Sequence, residues 1–270
     1  MTDINLIDCT LRDGGYYNNW KFTNHQVKEY LKKIYLSKID VVEIGFRFLE
    51  KDNNLGPFAF SKEEMLKKIS TSKNTKLAVM INSSDFFQTK RHYKSIIDEH
   101  FVKNSNSRIS IVRLATHYND IFKISRHLKY LKKLGYKVFV NLMQINMINE
   151  KELIKALKEL KKSKSVDVFY FADSFGNMKP QNVEKICKII KNNWSGDFGI
   201  HTHDNCGYGL ENSLCAMKCG AKWVDATIQG MGRGAGNVST ETLLCELSRI
   251  GKNKFNPNPV YSLSQSFFLD

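Results

Sequence analysis

The chain's 270 residues are enough for one large α/β domain, and 42% hydrophobic with 25% charged residues is ordinary globular usage, which excludes a disordered chain. The formal net charge of +14 raises nucleic acid as a partner, but the excess is lysine spread along helix-like stretches such as KEYLKKI and KELIKALKELKKSKS, with no arginine-rich tail and no interleaved aromatics. A solvated basic surface that draws in an anionic small molecule is expected instead. The six cysteines include no CxxC pair, the first residues lack a basic-then-apolar leader, and no run approaches about 20 apolar residues, so reduced thiols, a cytoplasmic location and no membrane partner are expected.

Residues 5–9 (NLIDC) form a short apolar run that gives way to the polar, glycine-rich TLRDGG, the pattern of a strand and the loop after it. A helix is predicted over 24–37, with Val27, Leu31, Ile34 and Tyr35 on one face, and a second strand over 41–45 (VVEIG) with Glu43 inside it. Ser61 and Glu64 have the spacing of a capping box before Met65, Leu66 and Ile69. Strands follow at 76–82, 108–116, 137–143, 167–173, 197–203 and 223–229, with helices between them at 86–101, 121–134, 150–160, 183–192 and 210–218. A last helix is capped by Ser239 or Thr240 and runs through Leu243, Leu244, Leu247 and Ile250.

Eight strands alternating with helices every 25–35 residues or so is the rhythm of a (β/α)8 TIM barrel. A doubly wound sheet would normally carry a phosphate-binding glycine loop after its first strand, and none is present there. A single domain is therefore expected, with residues 1–255 forming the barrel and 256–270 an irregular tail containing Pro257 and Pro259.

In a barrel, chemistry sits at the carboxyl ends of the strands. Arg12 and Asp13 fall after strand one, His117 after four, Asp173 and Ser174 after six, His203 after seven, and the glycine-rich 230–237 after eight. His201 and His203, two apart on a strand, would project together and offer a chelating pair; Asp13 and Asn237 are the candidates to complete a divalent-metal site with open positions. The plainer alternatives are two hydrogen-bonded core histidines, a turn-capping Asp13 and a helix-capping Asn237. The donor set suits Mn²⁺ or Mg²⁺, with Zn²⁺ or Fe²⁺ also compatible. Arg12 could stabilise an enolate oxygen as a carbon–carbon bond beside a 2-oxo acid breaks or forms, or could be a surface ion pair. Asp173 and Ser174 are candidate substrate-binding groups.

With DCTLRDG at 8–14, HTHDN at 201–205 and GAGN at 234–237 in that order, the chain resembles the DRE-TIM metallolyase superfamily over nearly its whole length. That superfamily includes 4-hydroxy-2-oxovalerate aldolases, hydroxymethylglutaryl-CoA lyase and several acyl-CoA condensing synthases. The resemblance implies a metal-dependent carbon–carbon lyase with Asp13, His201 and His203 as ligands, Asn237 as a fourth or adjoining one, and Arg12 as enolate stabiliser. RLATH at 113–117, ADSFGNM at 172–178 and GMGRGAGN at 230–237 look most like the aldolase branch, which implies a 2-oxo acid and an aldehyde; an acyl acceptor and Claisen-type chemistry are the alternative. Tyr16 stands where those aldolases carry a histidine proposed as base, so either a tuned Tyr16, His117 or a metal-bound water is expected in that role. The C-terminal extension with which those aldolases contact a dehydrogenase is expected to be missing, so substrate channelling is not assumed, and self-association stays open.

Overall fold

The computed structural model describes residues 4–69, 72, 75–252 and 254–265. Eight parallel strands close into a barrel in sequence order: β1 Asn5–Asp8, β2 Val41–Phe46, β3 Lys76–Asn82, β4 Ile111–Thr116, β5 Lys137–Leu142, β6 Val168–Asp173, β7 Asp197–Thr202 and β8 Trp223–Ala226, with β8 pairing back onto β1. Alternating side chains divide the core in two. Val42, Ile44, Val79, Val112, Leu114, Val140, Phe169, Phe171 and Val224 face outward into one large cluster with the surrounding helices, whereas Ile7, Val41, Ala78, Ile111, Phe139, Val168 and Tyr170 pack inside the barrel. Glu43, Arg113 and Asp225 each lie two residues beyond an inward-facing position, and all three are buried, so a charged layer sits on this apolar plug.

The helices begin where local chemistry satisfies their first amides. Thr23 and Gln26 cap the Asn24–Leu36 helix reciprocally, and Asn149 with Glu152 does the same for Glu150–Ser163. Of the predicted faces, Val27, Leu31 and Ile34 are buried while Tyr35 is exposed; Leu153, Leu157 and Leu160 are buried and Ile154 only partly so.

Several expectations need correction. Ser61 does not cap the start of the following helix: it adopts φ 40 as the C-cap of the Pro57–Phe60 turn, its Oγ donates to the Phe58 carbonyl (3.1 Å), and the next turn starts from Lys62 without a side-chain cap. The helix expected over 86–101 runs only over Tyr93–His100, because Ser83–Phe86 forms a separate 3-10 turn and Thr89 Oγ1 captures the Arg91 amide. Residues 121–134 split into a Tyr118–Ile121 turn and a Ser125–Lys133 helix. β8 stops at Ala226, since Gln229 turns the chain with φ 53. The tail expected to be irregular carries the Asn258–Ser264 helix with Val260 and Leu263 buried; residues 266–270 lie outside the described residues. Among the described residues no helix is long and apolar enough to cross a membrane, and all six cysteines are unpaired.

His127 yields a prediction about stability. Its ring is buried against Phe86 (4.5 Å between centroids), Tyr93 (5.5 Å) and Phe87 (5.7 Å), and burial, with Arg126 beside it, pulls its pKa down to about 4. The native state therefore holds it neutral while the unfolded chain takes a proton below about pH 6.5. Stability should be full above about pH 6.5 and fall as pH drops toward about 4. Urea titrations of the protein and His127→Phe should show the variant losing about 2–3 kcal/mol less across that window; identical losses would contradict the assignment.

Candidate metal centre

The first loop is fixed from below by Asp8, whose carboxylate accepts from the Thr10 amide (3.0 Å), the Thr240 hydroxyl (2.7 Å), and the hydroxyls of Thr10 and Tyr30. This ties the end of β1 to two helices and lets Thr10–Asp13 form a single turn that carries Arg12 and Asp13 over the barrel axis. Trp20 Nε1 donates to the Arg12 carbonyl (2.9 Å). The buried Arg12 guanidinium donates through Nε to Glu43 Oε2 (2.7 Å) and through Nη1 to Asp13 Oδ1. Burial alone would lower its pKa, but the carboxylates of Asp13 and Glu43 outweigh that and hold it raised, so Arg12 stays charged.

His201 lies in β7 and His203 just beyond it, with ring centroids 5.2 Å apart. His201 Nε2 is 3.6 Å from Asp13 Oδ2. Asn237 arrives from the loop after β8: its backbone bridges to His203, and its Nδ2 donates to the same Asp13 Oδ2 (2.8 Å) and to the Met231 carbonyl (3.2 Å). The glycines make that return possible. Gly236 has φ +93, and a Cβ there would lie 1.9 Å from the Gly230 carbonyl oxygen, whose partner is the Asn237 amide (2.8 Å).

Among the described residues, Asn237 Oδ1 and Arg12 Nη2 are buried beside Asp13 without a hydrogen-bond partner, as are Arg113 Nε and Asp225 Oδ1 in the layer beneath. An acceptor left unsatisfied beside a carboxylate and two imidazoles fits a cation, and a donor left unsatisfied beside them fits an anionic ligand. Burial, reinforced by His201, lowers the His203 pKa to about 4, so its imidazole is neutral at pH 7 with a lone pair to offer.

The layer beneath was not legible as a site in the sequence. Asp225 Oδ2 holds His201 Nδ1 at 2.9 Å, which leaves Nε2 to face Asp13, and accepts from Arg113 Nη2 at 2.6 Å. Arg113 also donates to Glu43 Oε1 (3.2 Å) and lies 4.5 Å over the Tyr170 ring. Burial opposes the Asp225 charge, yet Arg113 and His201 bring its pKa down to about 2. Cys9, His201 and Asp225 also converge closely enough to suggest a metal set of their own. Their chemistry argues against it: burial pushes the Cys9 thiol far up, so it is no thiolate, and Asp225 is already engaged by a guanidinium and an imidazole. The sequence signal for Glu43, Arg113 and Asp225 is a charge at an inward position of an otherwise apolar strand, with Arg113 also opening RLATH.

Four predicted site residues fall differently. Tyr16 packs edge-on against Trp20 (4.8 Å) and Phe46 (6.2 Å), and burial raises its phenol above the usual value although Arg12 and Arg233 oppose the shift. His117 is exposed after β4, and no hydrogen bond or ion pair of its ring to the central group is seen among the described residues. The Asp173 carboxylate accepts from the amides of Met178 (3.0 Å) and Asn177 (3.3 Å), and its carbonyl from the His203 amide (3.3 Å), so it shapes the loop beside the centre. Ser174 Oγ accepts from the Gln144 amide (2.9 Å), which joins the loops after β5 and β6.

Comparison with known proteins agrees with this architecture. The chain is similar to the 4-hydroxy-2-oxovalerate aldolase of Carboxydothermus hydrogenoformans, 32% identical over 252 residues that cover 92% of this chain and 71% of that one. It is 30% identical to the same-named protein of Geobacillus genomosp. 3, over 92% of this chain and 71% of that one. Among solved structures, the N-terminal domain of a Bacteroides vulgatus protein described as an aldolase superposes with a TM-score of 0.84 at 32% identity, covering 98% of this chain and 86% of that one. The HMG-CoA lyase of Bacillus subtilis, at 14% identity, shares the fold with a TM-score of 0.80 over 98% of this chain and 92% of its own. The HMGL-like family model matches residues 3–264, so the chain belongs to the HMGL-like family and is a metal-dependent carbon–carbon lyase of the aldolase kind.

Proposed function

We propose that the chain cleaves or forms the carbon–carbon bond beside a 2-oxo acid, with pyruvate as the 2-oxo product or donor and an aldehyde as partner. Asp13, His201 and His203 would hold a divalent ion, Mn²⁺ or Mg²⁺, with the Asn237 amide oxygen beside it. One observation carries this reading: Asp13 Oδ2, His201 Nε2 and Asn237 converge from β1, β7 and the loop after β8, with Asn237 Oδ1 left without a partner. The relatives named 4-hydroxy-2-oxovalerate aldolase support the aldehyde over the acyl acceptor.

A bound divalent ion supplies Lewis-acid polarisation of the 2-oxo group and offsets charge as the bond breaks. The chain's own residues do the rest. Arg12, clamped by Glu43 and Asp13, has Nη2 free to donate to the oxygen on which negative charge develops. A donor already fixed and desolvated needs no reorganisation at that moment, which is where such groups contribute about 3–4 kcal/mol to the barrier. Tyr16, its pKa raised by burial, remains a phenol at neutral pH and would pass its proton to the reacting carbon as cleavage ends, taking it back from that carbon in bond formation and in pyruvate exchange. Asp225 fixes which His201 nitrogen faces the ion.

Two experiments test this. Purified protein loaded with Mn²⁺ should contain about one ion per chain and exchange the methyl protons of pyruvate in D2O; failure of exchange to respond to metal would end the pyruvate reading. Asp225→Asn should lose stability in thermal unfolding because Arg113 loses its partner charge, and the folded variant should bind Mn²⁺ roughly 10–100-fold more weakly in calorimetry. Unaltered affinity would remove Asp225 from the ligand support.

A further inference from the structure

Arg233 is an exposed arginine that the centre does not use, and its placement is constrained. The loop on either side of it is pinned: Tyr17 donates its hydroxyl to the Gly232 carbonyl and accepts from the Gly232 amide (3.3 Å), while the Ala235 amide donates to Asn205 Oδ1 (3.1 Å) and the Gly236 carbonyl accepts from the Asp204 amide (2.9 Å). Gly234, with φ +66, could not carry a Cβ without coming within 2.8 Å of Asn205 Oδ1. The guanidinium lies 5.2 Å from the Tyr16 ring centroid. Tyr16 packs on Phe46 at 6.2 Å, and Arg12 lies 5.7 Å over that same Phe46 ring. Arg12 and Arg233 thus stand over one aromatic platform, the first buried at the reacting end and the second at the solvent side. No carboxylate among the described residues is paired with Arg233, which leaves its donors for a ligand.

The charges point the same way. In the ion-paired cluster, the carboxylates of Asp13, Glu43 and Asp225 face the guanidiniums of Arg12 and Arg113, three negative charges against two positive, which leaves one net negative charge. A divalent ion reverses this to one positive, and Arg233 raises it to two. A 2-oxo acid with an uncharged tail neutralises only half of that. We propose that Arg233 forms a subsite for a second carboxylate, so that the acceptor is an anionic aldehyde and the cleaved substrate a dianionic 4-hydroxy-2-oxo acid. This rests on the aldolase reading above and names its substrate class.

The test uses two unreactive ligands of equal chain length, 2-oxoglutarate and 2-oxovalerate, which differ by a carboxylate in place of a terminal methyl and lack the 4-hydroxyl needed for cleavage. Calorimetry on the Mn²⁺-loaded protein should show 2-oxoglutarate binding at least about tenfold tighter, a charge-assisted contact being equivalent to roughly 10–100-fold. Arg233→Ala should erase that preference and Arg233→Lys restore part of it. In turnover, the kcat/KM ratio of 4-hydroxy-2-oxoglutarate to 4-hydroxy-2-oxovalerate should fall by a similar factor in Arg233→Ala. Equal weakening of both ligands would assign Arg233 to the 2-oxo end and overturn the proposal, as would no preference in the parent protein. Pyruvate exchange in the parent separates the causes: exchange without a ligand preference sinks this inference alone, and no exchange sinks the aldolase reading with it.

Discussion

The contact on which the centre depends is the pair formed by His201 Nδ1 and the Asp225 carboxylate, 2.9 Å apart inside the barrel. It decides which imidazole nitrogen faces Asp13, and Arg113 and Glu43 keep Asp225 in place. These charges lie where water cannot reach them, so each is stabilised only by the others. Removing one partner of such a buried pair typically costs about 3–5 kcal/mol, because the survivor is left uncompensated. The layer is therefore rigid and brittle at once. It sits on the apolar plug of Ile7, Val41, Ala78, Ile111, Phe139, Val168 and Tyr170, which excludes solvent from below.

Three carboxylates against two guanidiniums leave this centre one charge short, and that imbalance connects support to chemistry. A cation at the mouth corrects it, and an anionic substrate then answers the excess the cation creates. Asp13 stands between the two roles, since Arg12 engages one of its oxygens while Asn237 and His201 approach the other. In turn, the glycine-rich return after β8 is what lets a residue so distant in sequence reach Asp13.

Much of the barrel was legible because its signals are local: apolar runs of strand length, capping pairs such as Asn149 with Glu152, and glycines after the last strand. Asp13, His201, His203 and Asn237 stood out in the sequence as ligand-type side chains at strand ends, and the structure brings them near one another; that they hold an ion is the proposal made above. Ser61 misled because a serine followed three residues later by Glu64 has the spacing of a cap, while its left-handed backbone closes the preceding turn instead. His117 and Asp173 lie apart from that central group for a different reason. Position at the barrel mouth says nothing about whether a side chain is exposed outward or committed to its own loop's amides, as Asp173 is. Asp225, Arg113 and Glu43 were hidden because their partners lie on different strands, a relation set by barrel closure and not by spacing along the chain.

The most direct test of the account is anomalous diffraction at the manganese edge from crystals grown with Mn²⁺. The account predicts one strong peak within about 2.3 Å of Asp13, His201 Nε2 and His203, with the Asn237 amide oxygen turned toward it. A peak between Cys9, His201 Nδ1 and Asp225, or density at the Asp13 side only for water, would contradict it.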